Sequence, residues 1–339
     1  MNVFSKKGIE TKRMQWLDAL KGIGILLVIF SHTGLNIPGL EYLTAGYMQM
    51  FFIASGLVCT FHRSTNDFIG NKAKRLLIPY FIYGIVILLC FCVIGGAEFV
   101  KGMMGLLYGK CSLLSYPSFS DSIALPKGTT PLWFLLAMFT AYILALVVNK
   151  KQESRLLLLG FIVLQVGLAS QPYLLPWTLD LAIYFAFCIL IGKYCKAYFL
   201  SERRVLVFLI ALVLYFVLTK INGSVNLSIR EMGDYGLISL FLSFLIGFLY
   251  TFLVAFICRK FEKTAILKIL SVVGRQSLRL MCIHYPIMVL VTDLLWHLHI
   301  KLDTSLVFVI QLVSIGFVTM AVSYSIKALL PKFNYLKYL

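Results

Sequence analysis

Ten apolar stretches, each separated from the next by charge, proline or glycine, limit this chain to one kind of fold. They fall near 19–36, 44–62, 76–95, 130–149, 155–171, 177–194, 204–221, 235–257, 273–294 and 305–328. A run of about 17–25 apolar residues is the length a helix needs to cross a bilayer. Inside lipid a helix satisfies every backbone N–H and C=O within itself, so helices are the expected spanning element. Only 13% of the 339 residues are charged and 60% are hydrophobic, against roughly 25% charged in a soluble domain. The sequence therefore predicts an all-α, polytopic integral membrane protein of ten transmembrane helices, built as one domain over 1–339.

Charge distribution supplies the orientation. With the N-terminus in the cytoplasm, 24 of the 31 basic residues fall on cytoplasmic segments and six on outer ones, with Arg279 inside a span. The positive-inside rule expects such an asymmetry. Both termini are thus placed in the cytoplasm, and the protein in the inner (plasma) membrane. The same distribution disposes of the net charge of +17 as a nucleic-acid signal. The cations lie in short loops at membrane edges, where they meet anionic lipid headgroups, so nucleic acid is not an expected partner.

The remaining global features exclude more than they predict. A basic segment before an apolar run is compatible with a signal peptide, but the run continues into HTGLNIPGLEY without a small-x-small cleavage pattern. The first helix is therefore expected to stay attached. Most of the eight cysteines lie within spans and none forms a CxxC pair, so neither a disulfide framework nor a metal site is expected. The longest extramembrane segment, 96–129, is placed outside; its length suits a lid or substrate-binding loop as well as a disordered one.

Ionisable groups within spans are functional candidates because they are costly to insert. The first span, in LDALKGIGILLVIFSH, holds Asp18, Lys21 and His32. On a continuous helix the step from Lys21 to His32 is about 20° from a whole number of turns, and the two are separated by roughly 16 Å along the axis. Asp18 stands one turn before Lys21. Gly22 and Gly24 thin the helix beside this face, permitting close approach of a neighbouring helix or of a ligand. Lys21 alone reads as an interfacial anchor that snorkels to the surface, whereas a buried imidazole at His32 needs a partner or a polar cavity. His284, with Arg279 five residues before it, raises the same requirement in the ninth span. At the cytoplasmic edge, NKAKRLLIPYF places Lys72, Lys74 and Arg75 directly before the third span. Lys72 and Arg75 are three apart, so on a helix both reach one phosphate group; taken alone, the cluster reads as a topology signal.

In order, WLDALKGIGILLVIFSH, FFIASG at 51–56, KAKRLLIPY at 72–80, PLWFLLAMF at 131–139 and VGRQSL at 273–278 leading to His284 resemble acyltransferase family 3 proteins. The branch they look most similar to holds sugar O-acetylases of the fucose 4-O-acetylase kind. The resemblance spans nearly the whole chain. Lys21 takes the place of the arginine in the family's R-x10-H motif and His32 the histidine; the charge is kept but the bidentate fork is lost. Lys72 and Arg75 match the family's basic pair, and Ser55 and Gly56 its Ser-Gly pair. In YMQMFF, Tyr47 and Gln49 stand where many relatives carry the His and Pro of a His-Met-Pro run.

What the resemblance implies is a membrane-bound O-acyltransferase acting on a cell-envelope polysaccharide or lipid-linked glycan. The acyl group, acetyl in the nearest branch, comes from a cytoplasmic acyl-CoA and goes to a glycan hydroxyl, without a metal. Lys72, Lys74 and Arg75 would hold the donor phosphates, and the pantetheine arm would thread along the Gly22/Gly24 face. His32 would act as general base or as acyl carrier, with Asp18 orienting Lys21. Ser55, Trp133 and Arg279 are candidates for stabilising the oxyanion or the sugar, and His284 for supporting the acceptor site or His32. Membrane lipids are the surroundings, and homo-oligomers or glycan-synthesis proteins are the expected protein partners. The competing reading is a transporter or flippase for a polysaccharide or lipid-linked sugar, although the chain lacks the paired inverted halves that would favour it.

Overall fold

The computed structural model describes residues 14–33, 35, 37–61, 64–115, 118, 124–150, 155–200 and 205–329, with 155–158, 327 and 329 by backbone alone. Basic residues used for the orientation at positions 6, 7, 12, 13, 63, 151, 203, 204, 332 and 337 lie outside them, as does His62. The described chain is helical apart from loops and two isolated bridges, Leu114–Tyr173 and Asn226–Glu231.

Every predicted span meets a helix, but their lengths differ more than the sequence suggests. Among the described residues, seven helical segments are long and apolar enough to cross a membrane: Thr65–Val93, Thr130–Lys150, Pro176–Tyr194, Val205–Asn222, Leu237–Lys260, Ser277–His297 and Thr304–Ile326. In chain order the helices are α1 (Gln15–Ser31), α2 (Leu40–Thr44), α3 (Tyr47–Leu57), α4 (Thr65–Val93) and α5 (Phe99–Tyr108). Then come α6 (Trp133–Lys150), α7 (Arg155–Ser170), α8 (Ala182–Tyr194), α9 (Lys196–Leu200) and α10 (Val205–Asn222). The last four are α11 (Leu237–Lys260), α12 (Ala265–Arg275), α13 (Ser277–His297) and α14 (Thr304–Leu329). Seven of the ten predicted spans thus meet, among the described residues, a helical segment of full crossing length. The helices at three predicted spans, α1, α3 and α7, have 17, 11 and 16 residues.

Three boundaries move for local reasons. α1 begins at Gln15, where Glu262 Oε1 accepts a hydrogen bond from the Trp16 N–H. It stops at Ser31 rather than running to 36, because Gly34 and Pro38 follow within two turns. The ninth span is two helices broken at Gln276, so Arg275 ends α12 and Arg279 lies in the first turn of α13. The segment 96–129, expected to lie outside, is folded where it is described. It carries α5, whose Gly102 and Gly105 pack against Leu88 and the Ala124 backbone.

Burial ranks the helices by position. The span containing α6 has 83% of its apolar window buried, and that containing α8 has 67%. For α10 and α14 the share falls to 22% and 17%. Helices α6 and α8 are therefore central. Apart from Lys220 near its end, the exposed residues of α10 are Val, Leu, Ile and Phe, such as Val213 and Phe216, which suit a lipid-facing surface.

Close helix crossings fix α1 and α3. A Cβ built on Gly22 would stand 3.1 Å from Gly274 N, and one on Gly274 would stand 2.7 Å from Gly22 N and from the Asp18 carbonyl carbon. The α1–α12 crossing thus admits no side chain at either glycine. Gly56 and Gly192 make the same reciprocal contact between α3 and α8, each placing a Cβ 2.9 Å from a carbonyl carbon, of Ile189 and Ile53 respectively. These approaches resolve the role left open for the first-span glycines. Gly22 faces α12 and Gly24 faces Met50 and Phe51 of α3. The path for a pantetheine arm along that face is filled by protein.

Candidate functional site

His32 directly follows the last helical residue of α1, its backbone N–H donating to Ile29 O at 3.1 Å. The side chain is exposed, and it lines a cavity of about 550 Å³. The cavity is enclosed by the end of α1, the α2–α3 segment, the start of α6, the end of α10 with residues 223–228, and single residues of α11 and α13. The 3-10 turn Thr130–Leu132, with Pro131 inside it, brings Trp133 to the wall as the first residue of α6. Trp133 is 6% exposed and packs its ring against Phe134 and Phe185.

Most polar lining is uncharged: hydroxyls of Ser31, Tyr42, Thr44 and Tyr47 and amides of Gln49 and Asn222 are among it. Glu41 and Lys220 are exposed and are the carboxylate and ammonium of the described lining. Neutral hydroxyls and amides beside an indole make a surface suited to a polyhydroxylated neutral molecule rather than to an anion.

Behind His32 stands His284 of α13, 0% exposed, with ring centroids 5.5 Å apart. Tyr285 meets His32 edge-on at 5.0 Å. His284 Nδ1 lies 2.7 Å from Leu280 O. A carbonyl only accepts, so Nδ1 carries the proton and the Nε2 of a neutral ring is bare. That Nε2 is buried and has no hydrogen-bond partner among the described residues. An unpaired acceptor of this kind is costly unless it is used, and the neighbouring imidazole is His32.

The other predicted residues sit elsewhere. Asp18 is buried at the α1–α12 crossing, and Lys21 is half-buried on α1; neither lines the cavity. Ser55 Oγ donates to Phe52 O and lies 3.7 Å from Met138 Sδ, also away from the cavity lining. Arg279 donates to Gln276 Oε1 at 2.6 Å and Ser323 Oγ at 3.1 Å, bracing α13 against α14. The structure therefore brings His32 and Trp133 to one cavity, sets the buried His284 behind His32, and leaves Asp18, Lys21, Arg279 and Ser55 outside the cavity wall.

The basic cluster divides in two. Lys72 turns inward, its Nζ 3.4 Å from the Tyr142 ring centroid and 5.4 Å from that of Phe68. Lys74 and Arg75 are exposed. Lys193, at the end of α8, lies 4.6 Å from the Phe61 ring and donates to Asn149 Oδ1. Lys72 and Lys193 both act electrostatically on Cys59, just past the end of α3. Lys193 appears in the sequence only as one more cytoplasmic cation, since nothing in its spacing ties it to Lys72. The N-terminal residues of α3, Tyr47 to Gln49, line the cavity. Its 11 residues span about 16 Å, so a short helix separates the cavity from this pair of lysines.

A second buried charge cluster escaped the sequence reading altogether. Lys110 Nζ lies 3.6 Å from Asp180 Oδ1, and Arg230 Nη1 3.4 Å from Asp180 Oδ2, all three nearly or wholly buried. Arg230 also donates to the carbonyls of Leu168, Tyr173 and Gln171. Burial pushes the Lys110 ammonium below its usual range, with Asp180 opposing the shift, and lowers Arg230 likewise. The cluster ties the segment after α5 to those before α8 and α11. Lys110 stands 5.8 Å from the Trp133 ring, directly behind the cavity wall.

A family model described as an acyltransferase domain, that of acyltransferase family 3, matches residues 14–328. No protein of curated function and no solved structure shows a significant match.

Proposed function

The chain belongs to acyltransferase family 3, and from that premise we propose that it moves an acyl group from a cytoplasmic acyl-CoA to a hydroxyl of a cell-surface or lipid-linked glycan at His32. The observation that carries this reading is the exposure of the His32 imidazole to a cavity of hydroxyl, amide and indole groups, backed by the bare nitrogen of His284.

In the direct route His32 takes the proton of the acceptor hydroxyl as its oxygen attacks the thioester carbonyl. The C–O bond forms, the C–S bond breaks, and the proton passes on to the departing thiolate, giving ester and free coenzyme A. In the two-step route the imidazole nitrogen attacks first and the hydroxyl displaces it. His284 supports either route. Its unprotonated Nε2 can accept the other N–H of His32, fixing which nitrogen faces the cavity and spreading the charge that develops on His32.

Lys72 and Lys193 are the cations we assign to the donor phosphates. The exposed Lys74 and Arg75 add attraction at longer range. Because α12 and α3 cover Gly22 and Gly24, the acyl-bearing arm must reach the cavity by another route. The short α3, with the lysines at one end and the cavity at the other, spans about 16 Å and marks the route we assign to the arm.

Proteoliposomes carrying labelled acetyl-CoA inside and methyl glycosides outside test the proposal. Label appearing in ester linkage to external sugar supports it. Sugar flux without ester formation would replace it with the transporter reading.

A further inference from the structure

Gln49 is an uncharged, buried amide in the cavity wall, and its hydrogen bonds leave it a single orientation. Nε2 donates to Tyr184 OH at 3.1 Å and to Ser243 O at 3.2 Å. Ser243 O is a backbone carbonyl and can only accept, so the nitrogen of the amide must face it; a flipped amide would set two carbonyl oxygens together. The chain of donors continues in one direction. Ser243 Oγ donates to Leu240 O at 2.8 Å, which spends its proton. Tyr184 OH, 2.9 Å from Ser243 Oγ, therefore donates to that oxygen and accepts from Gln49.

The stem of the side chain is held as firmly as the amide. A Cβ on Gly247 of α11 would stand 2.7 Å from Gln49 Cγ, so only glycine leaves room for it there. The residue is 2% exposed and lines the cavity. Both N–H groups are taken and Oε1 receives no hydrogen bond from a described residue, so the free valence of Gln49 is an acceptor. Asn222, 1% exposed, lines the same cavity with an Oδ1 that also has no hydrogen-bond partner among the described residues.

We infer that Gln49 Oε1 is a recognition point for a hydroxyl of a neutral polyhydroxylated acceptor, and that it sets which hydroxyl meets His32. This rests on the acyl-acceptor reading of the cavity. A fixed, buried acceptor discriminates because a ligand lacking the matching O–H would leave it unpaired. Tyr184 and Ser243 are positioning residues, acting through the amide they hold.

The test uses the full chain in lipid nanodiscs with a panel of methyl glycosides and their monodeoxy analogues. Binding is followed by calorimetry and, separately, transfer of labelled acetyl from acetyl-CoA. For the wild-type protein one deoxy position should weaken binding by about 10–100-fold, the range of one buried hydrogen bond. In Gln49→Met that preference should collapse to near unity. Tyr184→Phe keeps the amide but frees one anchor and should lose part of the preference, which guards against a Gln49→Met that fails to fold.

A preference unchanged in Gln49→Met overturns the proposal, as does a wild-type protein that binds none of the glycosides. Binding that depends on Gln49 without transfer would uphold the recognition point and reject acyl transfer instead.

Discussion

Gly274→Ala should disable the reaction without touching the cavity. The added Cβ would stand 2.7 Å from Gly22 N and 2.7 Å from the Asp18 carbonyl carbon, where ordinary contact is 3.4–4 Å. Both obstacles are α1 backbone, which cannot rotate aside. α1 must therefore retreat from α12 by about 0.7 Å or more, at an overpacking cost of about 1–3 kcal/mol. α1 also carries His32 on its end, set 5.5 Å from His284. A displacement near 1 Å at a reacting group can cost about 100-fold in rate. The assay pairs thermal unfolding in nanodiscs with acyl transfer, using Gly167→Ala as the control because nothing lies within 4 Å of a Cβ there. A Gly274→Ala protein with wild-type stability and wild-type turnover would refute the reasoning.

The other predictions concern charge and hydrogen bonding. Asp180→Asn leaves Lys110 and Arg230 buried together, so it should destabilise by about 3–5 kcal/mol, whereas Lys110→Met leaves a balanced Asp180–Arg230 pair and should cost less than about 1 kcal/mol; denaturation midpoints at pH 7 separate them. Because the folded Lys110 holds its proton more weakly than the unfolded lysine, its contribution to stability should rise with pH up to the unfolded pKa near 10.4, and Lys110→Met should flatten that slope. His284→Phe should lower kcat by about 10–100-fold, as the loss of one hydrogen bond to a charged ring implies, with the KM for acceptor little changed. Lys72→Gln should raise the KM for acetyl-CoA more than Lys74→Gln, since Lys72 is turned inward over Tyr142 while Lys74 points to solvent.

Hydropathy located a helix for each apolar run because lipid-facing and buried positions are apolar alike, so the signal survives whatever a helix packs against. It overestimated α3 for the same reason: Cys59 and Phe61 are apolar yet lie past the helix end. His32 stood out because an imidazole in such a run has few structural uses, and the cavity beside it could not be seen in a one-dimensional pattern. Gly22 was legible as a close approach, but a sequence cannot say whether a ligand or α12 fills the gap. Lys110, Asp180 and Arg230 went unread for a plainer reason. They are 50 to 120 positions apart in loops, where neither period nor spacing links them. Gln49 was visible only as a departure from a family pattern; its meaning lies in Tyr184 and Ser243, which come from two other helices.

The most direct test of the account is acyl transfer by His32→Ala, reconstituted beside the wild-type protein with labelled acetyl-CoA and a methyl glycoside acceptor. Removing the imidazole from the end of α1 should leave the protein folded, with unfolding lowered by no more than about 1–3 kcal/mol, the cost of leaving the buried His284 Nε2 unpaired. Transfer should fall by about 100-fold or more, the contribution of a positioned general base. A folded His32→Ala protein that still esterifies the acceptor at the wild-type rate would contradict the account.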